Sequence, residues 1–102
     1  MKNCSSVKST LNIIGGKWRP LIIYMLYENT LRFSQLQKQI TGISQKMLTQ
    51  ELKRLEKDEI IKRVVYAQIP PKVEYSLTEK GKSILPILQK MDEWSQVYNP
   101  SN

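Results

Sequence analysis

Residues 34–77 read SQLQKQITGISQKMLTQELKRLEKDEIIKRVVYAQIPPKVEYSL, and this stretch decides the fold of the 102-residue chain. Ser34 is a candidate helix cap, because its hydroxyl and the side chain of Gln37 could each satisfy a free backbone N–H. Residues 41–43, TGI, predict a tight turn, and Ser44 is the predicted cap of the next helix. Two short helices joined by a brief glycine-containing turn are typical of a helix-turn-helix.

The helix that follows Ser44 is predicted to run to about Asp58 and to have two chemically different faces. Leu48, Leu52 and Leu55 recur at helical spacing and form the face expected to be buried. In a helix-turn-helix the opposite face meets the major groove, where glutamine can bind adenine, lysine guanine or phosphate, and a threonine methyl thymine. Ser44 and the helix N-terminus suit a phosphate. The predicted reading face carries Gln45, Lys46, Thr49, Gln50 and Lys53.

Two strands are predicted after this helix. Residues 61–66 are rich in β-branched side chains, and residues 73–77 alternate apolar and polar positions. Two prolines within residues 67–72 cannot join a central strand, so this segment is the predicted tip of a hairpin. A hairpin directly after a helix-turn-helix forms a wing, for which the candidate phosphate contacts are Arg63 at its base and Lys72 at its tip, with Arg32 as a further candidate.

Helices are also predicted on both sides of this unit. Ser5 or Ser6 is the expected cap of a first helix that ends at the glycine pair 15–16, and a second helix is expected to start near Lys17. Thr78 is the expected cap of a last helix with a local kink at Pro86. The predicted fold is therefore mainly α with a small β-hairpin wing (α+β), a winged helix-turn-helix, in a single domain over residues 1–102.

The composition favours a polyanionic partner. The chain has 16 basic and 9 acidic residues, a formal charge of +7, no histidine and one cysteine. Without histidine, and with one cysteine, the common zinc sites, histidine-based catalytic triads and an internal disulfide are excluded, so we expect no metal, no cofactor and no enzyme activity. No apolar leader or membrane-length run is present, so we expect a cytoplasmic protein without a membrane partner.

Four segments follow one another along the chain: residues 11–18 (LNIIGGKW), 31–36 (LRFSQL), 42–49 (GISQKMLT) and 70–81 (PPKVEYSLTEKG). Together they resemble the HxlR-type regulators, a branch of the MarR-like winged-helix proteins. The resemblance implies a homodimer joined through the first and last helices, the helix from Ser44 in the major groove, and a wing that contacts double-stranded DNA. Two positions depart from the family pattern: Glu59 stands where glycine is frequent, and Ser5 where proline often follows the cysteine.

The apolar stripe of the last helix is long for a monomer of this size, which favours a dimer interface over simple core packing. An interface lined by Trp18, Tyr24 and Trp94 could also hold a small aromatic effector, although contacts within the core or across the dimer explain these aromatic residues better. The residues predicted at the dimer interface are Leu11, Trp18, Ile87, Met91, Trp94 and Tyr98.

Cys4 is the candidate redox sensor. It precedes a helix N-terminus and lies near Lys2 and Lys8, and both features favour the reactive thiolate. The resemblance adds that some relatives sense oxidants, quinones or aldehydes through a cysteine at this place, so a small electrophile is a candidate effector. The alternative is an inert terminal cysteine.

The function predicted from the sequence is sequence-specific DNA binding by a homodimeric transcription regulator on a pseudo-palindromic operator, with repression the expected outcome. A winged-helix protein-interaction module is the main alternative. It would tend to show apolar residues on the exposed face of the Ser44 helix, where this sequence has glutamine, lysine and threonine. An RNA-binding winged helix is a third reading.

Overall fold

The structure is a computed structural model that describes residues 4–100. Within these residues a helix-turn-helix is followed by a two-stranded antiparallel hairpin, which confirms the predicted fold class. No helix of this part is long and apolar enough to cross a bilayer. In chain order the elements are α1 Ser5–Ile14, α2 Arg19–Glu28, α3 Phe33–Gln39, α4 Gln45–Lys57, β1 Ile61–Tyr66, β2 Lys72–Leu77, α5 Glu79–Lys82 and α6 Leu85–Tyr98.

The core fixes which face of α4 points outward. The predicted stripe of Leu48, Leu52 and Leu55 is buried, and it packs in one cluster with Leu36 of α3 and with apolar residues of α2. Burying a leucine side chain stabilises a fold by about 1.5–3 kcal/mol. Because three such residues anchor α4, rotating the helix about its axis would be costly, and its polar side stays exposed.

The hairpin is attached to the helices at its base. Ile61 pairs with Leu77 at the buried end, and Tyr66 pairs with Lys72 near the tip. Leu31 adds a one-residue bridge on the other edge of β2: Leu31 N–H donates to Tyr75 O at 3.0 Å, and Tyr75 N–H to Leu31 O at 2.8 Å. Beyond Ile61 every residue of β1 is exposed, so the wing projects from a fixed base.

The start of α3 differs from the predicted capping box at Ser34 and Gln37. The helix begins at Phe33, and the backbone N–H of Arg32 donates to Gln35 Oε1 at 2.8 Å. The bridge at Leu31 keeps the chain extended as far as Arg32, so the helix can begin at the next residue. The prediction was wrong by two positions, although the spacing of three between cap and glutamine is the same.

The last predicted helix is two helices. Thr78 caps the short α5, since its Oγ1 accepts from Gly81 N–H at 3.0 Å. The second helix, α6, begins at Leu85, and Pro86 lies in its first turn. Proline lacks an N–H and fits the first turn of a helix, where that donor has no partner. Pro86 therefore starts a helix here, and the predicted kink was wrong.

Among residues 4–100, two residues other than glycine have left-handed backbone. Cys4 occupies the N-cap position of α1 with φ 59°, so neither Ser5 nor Ser6 is the cap. Glu59 follows α4 with φ 61°, as expected where relatives often have glycine. A left-handed conformation costs an ordinary residue roughly 1–2 kcal/mol, so the turn between α4 and β1 carries strain at Glu59.

Candidate nucleic-acid interface

The turn between α3 and α4 sets the start of the recognition helix. Gly42 has φ 89°, a conformation that favours glycine, and the chain then becomes extended at Ser44. Ser44 Oγ accepts a hydrogen bond from Met47 N–H at 3.1 Å, as predicted for a cap. The first amide groups of α4 thus begin at an exposed position, where a phosphate could approach.

The outward face of α4 carries four of the five side chains predicted to read DNA. Gln45, Lys46, Gln50 and Lys53 are exposed. Thr49 is only half-buried, and its hydroxyl donates to Gln45 O at 2.8 Å. With the hydroxyl occupied by the helix itself, Thr49 would offer its methyl group, which is the part predicted to meet a thymine.

A cleft joins the recognition helix to the wing. It has a volume of about 310 Å³ and brings Lys53 of α4 and Arg63 of β1 to one concave surface. Within residues 4–100 neither side chain takes part in an ion pair, so both charges remain available for an anion. The cleft is lined by Phe33, Thr49, Leu52, Lys53, Glu56, Arg63 and Tyr75.

The wing is less basic than its sequence indicates. Lys72 Nζ lies 3.4 Å from Glu74 Oε2 and 5.1 Å from the ring centroid of Tyr66. The Tyr66 hydroxyl also hydrogen-bonds to Glu74, which raises the pKa of Tyr66, and the carboxylate charge adds to that rise. Lys72 is therefore partly compensated before any DNA approaches. At the tip, residues 67–71 carry no charge and Ile69 is fully exposed.

Arg32 is not among the residues that line this cleft, although its neighbour Phe33 is, and it occupies the N-cap of α3 with an exposed side chain. Sequence reasoning missed Arg54, on α4, which turns away from the reading face. Its Nε lies 3.1 Å from Asp58 Oδ2, and its Nη2 donates to Asn12 O of α1 at 3.2 Å. The spacing of four between Arg54 and Asp58 was a visible signal for the first contact, whereas the second joins residues 42 positions apart.

Most of the predicted interface residues form exposed apolar surface. Leu11 of α1 is half exposed, and on α6 Ile87, Met91, Trp94 and Tyr98 are exposed while neighbouring Ile84, Leu85 and Leu88 are buried. The Trp94 and Tyr98 ring centroids are 5.1 Å apart. The predicted stripe is thus divided between the core and an unpartnered face. That face is continuous over three turns of α6.

Two of the predicted aromatic residues are partly buried. Trp18 packs against the core with Lys17 Nζ 4.7 Å from its ring centroid, and Tyr24 packs against the same core. Burial, with a contribution from the Asp92 carboxylate, raises the pKa of Tyr24. Trp94 is 60% exposed. Core packing accounts for Trp18 and Tyr24 without an effector.

Cys4 is exposed, and its carbonyl accepts from Lys8 N–H at 2.9 Å in the first turn of α1. Lys2, the other cation predicted near the thiol, lies outside the described residues. Among residues 4–100 no group of three potential metal ligands comes together.

Comparison with known proteins places this geometry in a family context. The sequence profile of the HxlR-like helix-turn-helix family matches residues 13–102. A helix-turn-helix transcriptional regulator of Methanothermobacter thermautotrophicus is 48% identical over 93 residues, which cover 91% of this chain and 71% of that protein. The reduced form of the redox regulator HypR has 45% identity and a TM-score of 0.87, over 91% of this chain and 92% of that one. Reduced YodB from B. subtilis has 37% identity and a TM-score of 0.85, covering 97% of both chains.

Proposed function

The chain belongs to the HxlR-like helix-turn-helix family of transcriptional regulators, and we propose that it acts as a homodimer that binds a pseudo-palindromic operator and represses transcription. Its relatives are regulators rather than enzymes. The observation that carries the proposal is the exposed polar face of α4 next to the Lys53–Arg63 cleft. A protein with this function works in the cytoplasm, together with the chromosome.

The proposed base contacts come from the first two turns of α4. Gln45, Lys46 and Gln50 are long and exposed, so they can reach base edges in the major groove. Thr49 would contribute a methyl contact, and Ser44 with the helix N-terminus a phosphate contact. With these contacts, α4 determines which base sequence the protein prefers.

The proposed phosphate contacts flank α4. Lys53 and Arg63 share one cleft, which supports a grip on the same stretch of DNA backbone from the helix and the wing together. Arg32 adds an exposed cation at the start of α3. Lys72, paired with Glu74, would contribute less. The uncharged tip around Ile69 would meet DNA through shape and apolar contact.

Homodimerisation would cover the apolar face of α6. A radius of gyration of 15.0 Å exceeds the roughly 13 Å of a compact domain of this length. The elongated shape leaves Met91 and Trp94 without a partner in the monomer. A second copy supplies the same apolar face by two-fold symmetry, and the dimer would set two α4 helices about 34 Å apart, one turn of DNA.

The proposed signal acts at Cys4. The thiol is exposed, and HypR and YodB have been solved in reduced forms as well as in oxidised and diamide-treated forms, respectively. With one cysteine per chain, alkylation by an electrophile, a mixed disulfide or a bridge between subunits are the available reactions. Replacing Cys4 by serine should make DNA binding insensitive to diamide and quinones. Persistence of either effect in that variant would remove Cys4 from the mechanism.

The first experiment is selection of random duplex DNA with the purified protein, followed by sequencing of the retained pool. An enriched motif with two symmetric half-sites about one helical turn apart is the expected result. Retention without a motif would indicate a non-specific binder. Loss of all retention at low salt would contradict DNA binding and favour a protein-interaction module, while preference for structured RNA in competition would favour the RNA-binding reading.

A further inference from the structure

The C-terminus of α1 is held by two arginines from other helices. Its last turn contains no basic residue of its own. Asn12 O accepts from Arg19 Nη1 at 2.7 Å and from Arg54 Nη2 at 3.2 Å, and Ile13 O accepts from Arg19 Nη1 at 3.3 Å. The last carbonyls of a helix lack partners within the helix and carry partial negative charge, so guanidinium groups suit them well.

Both arginines connect this helix end to the recognition helix. Arg54 belongs to α4 itself, and Asp58 at 3.1 Å fixes the direction of its guanidinium. Arg19 belongs to α2, and its Nε lies 3.0 Å from Glu51 Oε2 of α4, with both side chains less than 20% exposed. A largely buried pair is screened less than a surface pair. Thus α1 and α4 are joined directly through Arg54 and indirectly through Arg19 and Glu51.

These contacts matter because α1 has little other attachment. Ile14 is its one buried residue among the ten from Ser5 to Ile14, and Ile13 is partly buried against the core. By contrast, three leucines anchor α4. Removing the arginine contacts should therefore leave α4 folded in place while α1 pivots at Gly15.

We infer that Arg19, Glu51 and Arg54 form a positioning device, the α1–α4 latch, which fixes the angle between the helix that carries Cys4 and the helix that reads DNA. In the dimer this angle sets the separation of the two recognition helices, and hence the half-site spacing that the protein accepts. The inference rests on the proposed function for its effect on DNA. Although Arg54 is a cation on the recognition helix, its role is to position α1 against α4 and not to contact a phosphate.

A DNA-free measurement tests the latch first. Spin labels at Lys8→Cys and Gln50→Cys, in a Cys4→Ser background diluted with unlabelled protein, report the distance between α1 and α4 within one chain. We expect a narrow distance distribution, which broadens clearly in Arg19→Met/Arg54→Met. Lys82→Met removes a cation from α5 and should leave the distribution narrow. An equally narrow distribution in the double variant would overturn the inference.

Operator duplexes with half-site spacings altered by one or two base pairs give the second test. The wild-type protein should prefer one spacing, and Arg19→Met/Arg54→Met should lose about tenfold in affinity at that spacing while binding an isolated half-site normally. If Arg54 were a phosphate contact, the isolated half-site would also weaken and the salt slope would fall by about one. That outcome would overturn the inference.

Conservative variants distinguish loss of the contacts between α1 and α4 from a general folding defect. Glu51→Gln keeps the shape of the side chain and removes the ion pair, and Arg54→Lys keeps the charge but loses the guanidinium fork. Each should broaden the spin-label distance less than the double methionine variant, with circular dichroism unchanged. If wild-type protein retains no DNA, the proposed function fails, and the spin-label result still decides the latch.

Discussion

The helices α4 and α6 are 13 and 14 residues long, and they differ in the chemistry of their exposed faces. Each buries leucines in the same core. Outside the core, α4 shows Lys46, Gln50 and Lys53, whereas α6 shows Met91 and Trp94. A polar and basic face suits a hydrated, charged partner, and an apolar face suits another apolar surface. The two helices are anchored in the core in the same way, but their exposed faces suit two different partners.

The largest expected effect comes from placing a charge on the apolar face of α6. Trp94→Glu should convert the proposed dimer to a monomer of 11.9 kDa, because a second copy would have to bury the carboxylate. Affinity for a two-half-site operator should fall about a hundredfold, since binding loses its second contact. Light scattering at micromolar concentration and titration of labelled DNA measure both. Gln89→Glu, also on α6, is the control and should behave like the wild type. A dimeric Trp94→Glu protein would contradict the assignment of the apolar face of α6 to the dimer interface.

The next largest effect is expected from removing one of the two cations in the cleft between α4 and the wing. Lys53→Met and Arg63→Met should each weaken DNA binding about tenfold on all sequences and lower the salt slope by about one, since each removes a proposed phosphate contact. Fluorescence anisotropy over a range of salt concentrations gives the slope. Both variants should remain dimeric. Lys82→Met lowers the net charge equally and should leave the slope unchanged; a slope unaltered by Arg63→Met would remove the wing base from the interface.

A smaller effect is expected at Lys72. Because Glu74 already neutralises part of its charge, Lys72→Met should weaken DNA binding by only about two- to threefold, less than the loss expected at an unpaired cation. Glu74→Gln, which frees the ammonium group, should instead strengthen binding slightly. The same anisotropy titration reports both changes. If Lys72→Met lost as much DNA affinity as Arg63→Met, the Lys72–Glu74 ion pair would have to break when the protein binds DNA.

The smallest expected effect is a change in the stability of the fold that leaves the exposed faces of α4 and α6 unaltered. Glu59→Gly should stabilise the protein by about 0.5–1 kcal/mol, because glycine adopts the left-handed backbone at φ 61° without strain. Urea unfolding of the two proteins gives the difference. Dimer mass and DNA affinity should not change. A lower urea midpoint would mean that the gain in chain entropy of the unfolded state outweighs the strain.

The elements with strong local signals were predictable from the sequence. Ser44 as a cap, the leucine stripe of α4 and the bounds of β1 follow from capping chemistry and periodicity, and the structure agrees. The errors lie at boundaries. The start of α3 depends on the Leu31 bridge to Tyr75, 44 residues away, and Pro86 could be read equally as a kink or as a first-turn residue.

The candidate interface was predictable in composition but not in its contacts. Lys72 and Glu74 are two positions apart on one strand and so share a face, a signal that was present and not used. The cleft between Lys53 and Arg63 and the pairing of Arg19 with Glu51 need the packed fold. No local pattern connects Arg19 with Glu51, which are 32 positions apart. Nor does any local pattern distinguish Lys53, which is proposed to contact DNA, from Arg54, whose guanidinium donates to Asn12 O.

The uncharged wing tip has a consequence for how such a protein would search a genome. Sliding on unrelated DNA depends on charge neutralisation of phosphates, to which residues 67–71 add nothing. A contact made by Ile69 would therefore count mainly where the groove has a matching shape. The tip would raise the ratio of specific to non-specific affinity without lengthening the time spent on wrong sites. Exchanging it for a lysine-rich tip would tighten binding everywhere and slow the search.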